Sequence, residues 1–309
     1  MTMTSLRLGL EWFLNPDHTP LLVAQAHGWF EAAGIDLTLI EPEEHLDAVD
    51  AIAEGAMDLA ITEPLHLAED CADGHSAVGI TRFLHTNGGV MYRTDTGISR
   101  PRDMAGTRIQ YPGAPGPGGP AIVGTMIEAD GGPYDPDAFT RVNRGFYHTD
   151  ALADDAADVA TLAFYNFEMV EARHRSLDVG FFALKDWGIP DFCQLILITT
   201  PERLDAQQET FARFLRVLRR GIDVVHQRPE EARQIYFTRT DTDPDDTLMR
   251  AIFEATVPCF THDFSMTTRY YEQLEAWLVR RGLIDAPQQP LTYWTNVLAL
   301  PDPARAMAH

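Results

Sequence analysis

A chain of 309 residues with 45% hydrophobic residues holds enough apolar material for one large or two medium domains, and no apolar run approaches the roughly 18 residues of a membrane-spanning helix. Its net charge of −22, with 46 acidic against 24 basic residues spread along the chain, argues against nucleic acid as a partner, which needs clustered lysine and arginine, and reads as a solvated acidic surface. Cys71, Cys193 and Cys259 are odd in number and lack CxxC spacing, which disfavours a disulfide framework and a structural zinc site and leaves them as reduced core thiols.

The N-terminal stretch MTMTSLRLGLEWF lacks a basic n-region and a small-residue cleavage site, so a cytoplasmic protein is expected. Leu6, Leu8 and Leu10 alternate as a strand, and the polar loop Asn15-Pro16-Asp17-His18 feeds a helix over Pro20–Ala32, with Gly34 as its stop. A loop between a first strand and a helix N-terminus is where α/β proteins gather ligands; here it carries Glu11, Trp12, Asn15, Asp17 and His18. A strand Ile35–Ile40, a helix His45–Glu54 and a strand Met57–Ile61 follow, and this alternation is the signature of a parallel sheet. His66 then falls on the loop or first helical turn after Thr62-Glu63-Pro64.

Strands are expected at Ala77–Phe83, Gly89–Tyr92 and Arg108–Tyr111. A second strand-helix register starts with the loop Gly113–Pro120 and a helix Ile122–Ala129. Strands at Thr140–Asn143, Thr161–Tyr165 and Val179–Ala183 alternate with helices Ala151–Val159 and Phe167–His174. After a strand Gln194–Thr199 the pattern is helical: Glu202–Gln227, Pro229–Tyr236, Asp245–Thr256 and Met266–Arg281. Gly89–Tyr92 and Gln194–Thr199 read as two crossings between lobes. The expected architecture is therefore α/β with two lobes, each a mainly parallel sheet flanked by helices, one made of residues 1–90 plus 196–309 and the other of residues 91–195. The cleft between the lobes is the expected ligand site.

Several residues carry chemistry on their own. Trp12 offers a platform for a flat ring, and Glu11 is a charged hydrogen-bond acceptor. His18 and His66, with Asp17 and Glu63 nearby, make a candidate metal set. Gly113 and Gly116 stand in a loop whose N–H groups can cradle an anion, although Pro115, Pro117 and Pro120 remove donors from it. Tyr165 and Asn166 can orient a ligand from a strand end. Lys185 is the only lysine, so Schiff-base chemistry has one candidate. Neither a GxSxG elbow nor a GxGxxG fingerprint in strand-to-helix context is present.

The stretch LEWFLNPDHTPLLVAQAHGWFEAAGIDLTLIEP, followed by AIAEGAMDLAITEPLH, resembles the SsuA/THI5-like family, the NMT1/Thi5 and thiamine-pyrimidine-binding group of periplasmic-binding-protein-like folds. The likeness continues more weakly through Phe164–Glu171 and Phe192–Thr199. It implies a hinged type II periplasmic-binding-protein-like fold closing on a small heteroaromatic ligand. Trp12 matches the family's tryptophan, Glu11 its Asn/Asp position, His18 its loop histidine, and His66 the histidine that the fungal synthase consumes as substrate. The Gly113 loop matches a phosphate-holding loop, and Glu171 an acidic position. Thr62 stands where the synthase has its pyridoxal-phosphate lysine, and its CCCFC motif is reduced to Asp191-Phe192-Cys193.

Two readings follow. In the first, the chain binds a thiamine-pyrimidine-like heteroaromatic molecule through Glu11, Trp12, Asn15, His18, Glu63, His66, Gly113, Gly116, Tyr165, Asn166 and Glu171, with no cofactor expected. In the second, it is a cytoplasmic enzyme acting on a pyrimidine or other aromatic metabolite with His66 and His18 as acid and base. Iron is then admissible as a cofactor, while a pyridoxal phosphate Schiff base has no lysine at position 62. The expected partner is the small ligand, and a homodimer is compatible with either reading.

Overall fold

A computed structural model describes residues 3–42, 48–288 and 290–299; the start of the expected helix His45–Glu54 lies outside the described residues. The described residues form the strands β1 (Thr4–Gly9), β2 (Ile35–Ile40), β3 (Leu59–Thr62), β4 (Val78–His85), β5 (Gly88–Arg93), β6 (Arg108–Gln110), β7 (Thr140–Val142), β8 (Val159–Phe164), β9 (Val179–Ala183) and β10 (Gln194–Thr199). The chain divides into two compact units, one of residues 1–85, 194–275 and 286–309, the other of residues 86–193 and 276–285. These divisions fall a few residues before the expected ones, and part of the last helix is grouped with the second unit. Neither expected crossing strand is shared: β5 belongs wholly to the second unit's sheet and β10 to the first's.

The first unit's sheet has the order β2-β1-β3-β10-β4. β1 pairs in parallel with β2 and β3, whereas β10 runs antiparallel to both its neighbours, so one reversed strand sits in a mainly parallel sheet. The side chains of Leu6 and Leu8, and of Leu10 just beyond β1, are fully buried, as their alternation demands. β10 is buried along its whole length, which suits an apolar run covered on both faces.

The expected helix Pro20–Ala32 is two helices, Thr19–Ala26 and Trp29–Ala32, because Gly28 takes a left-handed conformation (φ 66°) between them. The first of these packs on the long helix Pro201–Gln227. The contact is close at Gly221, where an added Cβ would lie 2.1 Å from the Pro20 carbonyl oxygen. Since the obstacle is backbone, Gly221→Ala is expected to cost about 1–3 kcal/mol. Denaturant unfolding measures this, and an unchanged midpoint would show that the two helices separate freely.

The second unit's sheet has the order β7-β6-β8-β5-β9, again with one reversed strand, β5, against parallel β7, β6 and β8. Here the helix placed at Ala151–Val159 is instead His148–Ala153. Arg108 is the physical reason. Its guanidinium binds Asp155 and Asp158, and its backbone N–H donates to Asp158 Oδ2 at 2.9 Å. Asp155 takes a positive φ of 57°, which ends the helix and frees Val159 to begin β8. The same device appears in the first unit, where the Arg7 N–H donates to Asp58 Oδ2 at 2.8 Å just before β3. The helix after the glycine-rich loop begins at Gly118 rather than Ile122.

Of the cysteines only Cys193 is buried, while Cys71 and Cys259 are half-buried. Among the described residues no helix is long and apolar enough to cross a membrane.

Candidate functional site

In the first unit the segment after β1 is shaped by one asparagine. Asn15 caps the 3-10 turn Pro16–His18: its Oδ1 accepts the Asp17 N–H at 2.8 Å and its Nδ2 donates to the Phe13 carbonyl at 3.1 Å. The Asn15 backbone N–H in turn donates to His18 Nδ1 at 3.2 Å. Leu14 N–H donates to Glu41 Oε2 at 2.8 Å, tying the same loop to the end of β2.

With Nδ1 an acceptor, the neutral His18 ring carries its proton on Nε2, which lies 3.0 Å from Glu11 Oε2. Burial disfavours the charged imidazole, but the Glu11 carboxylate, Asp17 and the Asn15 contact together outweigh burial and move the His18 pKa above its ordinary value. His18 is fully buried with both nitrogens engaged, and so stands behind Glu11. The residue expected at a ligand is thus enclosed in the structure, its two nitrogens on Asn15 and Glu11. Asn15, 1% exposed, spends its side-chain amide on the turn. Of the aromatic pair, neither ring is core: Trp12 is half-buried, Phe13 is 38% exposed, and their rings meet edge to face at 4.3 Å.

His66 lies in the first turn of the helix Pro64–Ala72. Its Nε2 is 3.3 Å from Glu63 Oε2 and its Nδ1 is 3.7 Å from Glu69 Oε2. Burial pulls the His66 pKa down, but the nearby Glu69 carboxylate and the charges of Glu63 and Asp70 lift it to about 9. Burial raises the Glu63 pKa; His66 opposes the rise and Glu11 adds to it. Glu11 and Glu63 therefore sense each other electrostatically, linking the His18–Glu11 pair to the Glu63–His66–Glu69 group. Glu69 went unread in the sequence, although its place three residues after His66 on a helix is a pairing distance.

The remaining candidates lie in the second unit. Asn166 is buried, with its Oδ1 accepting the Thr86 hydroxyl. Tyr165 is 39% exposed; its hydroxyl accepts from Arg173, whose guanidinium also lies 4.7 Å from the ring centre. Glu171 pairs with Arg175 at 3.4 Å, one turn along the helix Glu168–His174. In the glycine-rich loop the Gly116 N–H donates to the Gly113 carbonyl at 2.8 Å, and the Gly116 carbonyl accepts the Tyr111 hydroxyl. Gly116 is thus closed into a turn and its N–H is not offered to an anion. Thr86, Arg173 and Tyr111 carried no signal in the sequence, since each acts through a contact made by folding.

The cofactors of the resembling synthase do not fit these residues. Thr62, 6% exposed, has no amine, and Lys185 lies exposed in a 3-10 turn of the second unit. Among the described residues, no three or more His, Cys, Asp or Glu are gathered in a metal-holding group.

A family profile described as NMT1/THI5 like matches residues 15–232. A 4-amino-5-hydroxymethyl-2-methylpyrimidine phosphate synthase from Legionella pneumophila is 28% identical over 98% of this chain and 95% of its own length. A formylaminopyrimidine-binding protein from Halalkalibacterium halodurans is 27% identical over 75% of this chain and 69% of its own length. Among solved structures, the periplasmic aliphatic sulphonate binding protein SsuA from Escherichia coli has a TM-score of 0.71 at 10% identity, covering 92% of this chain and 89% of that one. The alkanesulfonate-binding protein SsuA from Xanthomonas axonopodis has a TM-score of 0.69 at 12% identity, covering 92% and 95%. At such identities the structural likeness shows the fold, that of periplasmic binding proteins. With the profile spanning well over half of its length, the chain belongs to the NMT1/THI5-like family.

Proposed function

We propose that this protein binds a small, flat nitrogen heterocycle of the thiamine-pyrimidine kind on the face of its first unit that carries Glu11 and Trp12. One observation carries the reading: a half-buried tryptophan follows directly in the chain on a carboxylate residue whose partner, His18, is buried and held on both ring nitrogens. An indole face stacks on an aromatic ring, and a carboxylate accepts from amino and ring N–H groups. The names of the relatives support the same ligand class. His66, whose pKa the Glu63 and Glu69 carboxylates raise to about 9, is not poised as a general base near neutral pH.

Isothermal titration with 4-amino-5-hydroxymethyl-2-methylpyrimidine and with formylaminopyrimidine tests the proposal. Trp12→Ala is expected to weaken binding about 10- to 100-fold, the usual worth of one aromatic stacking platform. Absence of binding to the unaltered protein would remove the reading.

A further inference from the structure

Away from the loop after β1, the first unit holds two histidines that the ligand reading leaves unused. His226 stands in the last turn of the helix Pro201–Gln227, and His262 lies in the segment beside β4, where Phe260 bridges Leu84 and the Thr261 N–H donates to the Phe83 carbonyl at 3.0 Å. Their ring centres are 5.0 Å apart, with the planes inclined at 62°. His226 Nε2 lies 3.1 Å from the Val257 carbonyl oxygen, and His262 Nε2 lies 2.8 Å from Asp223 Oδ1.

A carbonyl and an ionised carboxylate only accept, so each neutral ring carries its proton on Nε2 and keeps the lone pair of Nδ1. Neither Nδ1 has a hydrogen-bond partner among the described residues. A ring N–H held by a carboxylate or a backbone carbonyl is the arrangement that orients metal-binding imidazoles. The spacing agrees with it: at metal–nitrogen bonds of about 2.0–2.1 Å, two imidazoles on one tetrahedral cation bring their ring centres to roughly 5 Å. The side chains of His262 and Asp223 are 28% and 45% exposed, so a solvent cation can reach the pair. The C-terminal end of a helix also favours positive charge. Arg219, a neighbouring cation, donates to the His262 carbonyl at 2.6 Å and lies over the Phe264 ring.

We infer that His226 and His262 bind one divalent cation of the zinc or copper kind through their Nδ1 atoms, with Asp223 as the positioning residue behind His262. Asp223 is committed to the far nitrogen, so the cation has two protein ligands and water completes its shell. Imidazole suits zinc and copper, whereas magnesium and calcium take oxygen ligands. The bound ion clips the end of the long helix to the segment along β4.

The test is calorimetric titration of zinc chloride into the chelator-treated full chain. His226→Ala and His262→Ala are each expected to weaken zinc binding about 100-fold, and Asp223→Asn about tenfold at an unchanged denaturant midpoint of the metal-free protein. His75→Ala removes a surface histidine paired with Asp50 at 3.5 Å and is expected to leave zinc affinity unchanged, as is an excess of magnesium chloride. Copper(II) in place of zinc is expected to show paramagnetic coupling to two nitrogens in the unaltered protein and to one in either single variant.

No zinc binding by the unaltered protein overturns the inference, and so does an affinity unchanged in both His226→Ala and His262→Ala. Equal weakening by His75→Ala also overturns it, because the ion is then taken up by surface histidines at large. An unchanged affinity in Asp223→Asn overturns the part given to Asp223. If His226→Ala does not fold, the more exposed His262 decides: weakened binding in His262→Ala supports the site, and unchanged binding overturns it.

Discussion

Replacing Asp58 with alanine is expected to lower the unfolding free energy by about 2–3 kcal/mol, read as a lower denaturant midpoint with little change in slope. Asp58 is 7% exposed. Its Oδ2 accepts the Arg7 N–H at 2.8 Å and Arg7 Nε at 3.1 Å, while its Oδ1 accepts from Arg203 on the helix Pro201–Gln227. Its carbonyl accepts the Thr199 hydroxyl at 2.8 Å. One residue thus ties β1, β3, β10 and a helix together. Burial pushes the Asp58 pKa up, and the arginine contacts outweigh burial and hold it below the ordinary value. Breaking a buried pair from one side costs about 3–5 kcal/mol; the 41% exposure of the Arg7 side chain lowers the figure here, because the stranded cation regains water. Asp58→Asn keeps the shape and is expected to lose less. A loss below about 1 kcal/mol for Asp58→Ala would mean that the pair behaves as a surface one.

Acidification from pH 7 to pH 4 is expected to remove about 3 kcal/mol of stability through His148 alone. The residue is 2% exposed, and its Nδ1 is buried without a hydrogen-bond partner. Burial lowers its pKa from 6.5 to about 4. In the unfolded chain the same ring titrates near 6.5. Between those values the unfolded state binds more protons, so stability falls as pH drops, beginning near pH 6.5 and ending near pH 4. The depression of about 2.5 units, at about 1.4 kcal/mol each, sets the size. Asp58 loses its contribution in acid as well, so the measurement is the difference between the unaltered protein and His148→Leu. The unaltered protein should lose about 3 kcal/mol more than His148→Leu as pH falls through this window, and parallel curves would show that His148 finds a partner in solution.

Much of the fold was legible because local rules and tertiary packing agree. The strands Ile35–Ile40, Val179–Ala183 and Gln194–Thr199 end where their apolar runs end. The restart of the strand-helix register after residue 100 has its counterpart in the paired Arg7–Asp58 and Arg108–Asp158 contacts. Boundaries shifted where a contact distant in sequence competed with propensity. Arg108 draws Asp155 and Asp158 out of a helix that Ala156, Ala157 and Val159 would otherwise prolong. Gly28 breaks a helix that the apolar spacing of Ala26, Trp29 and Phe30 continues.

The candidate site divides along the same line. Composition and order alone determined that the chain is strongly acidic, that position 62 has no amine, and that Glu11, Trp12 and His18 share one segment with a helix start. Those are properties of residue type and near neighbours, and no packing changes them. Only the tertiary structure decided which groups remain available. It turned His18 inward behind Glu11, gave Asn15 to the cap, set Glu69 against His66, and closed the Gly116 N–H onto Gly113. A hydrogen-bonding group can serve a ligand only if folding has left it unspent, and that depends on partners the order of residues does not place beside it.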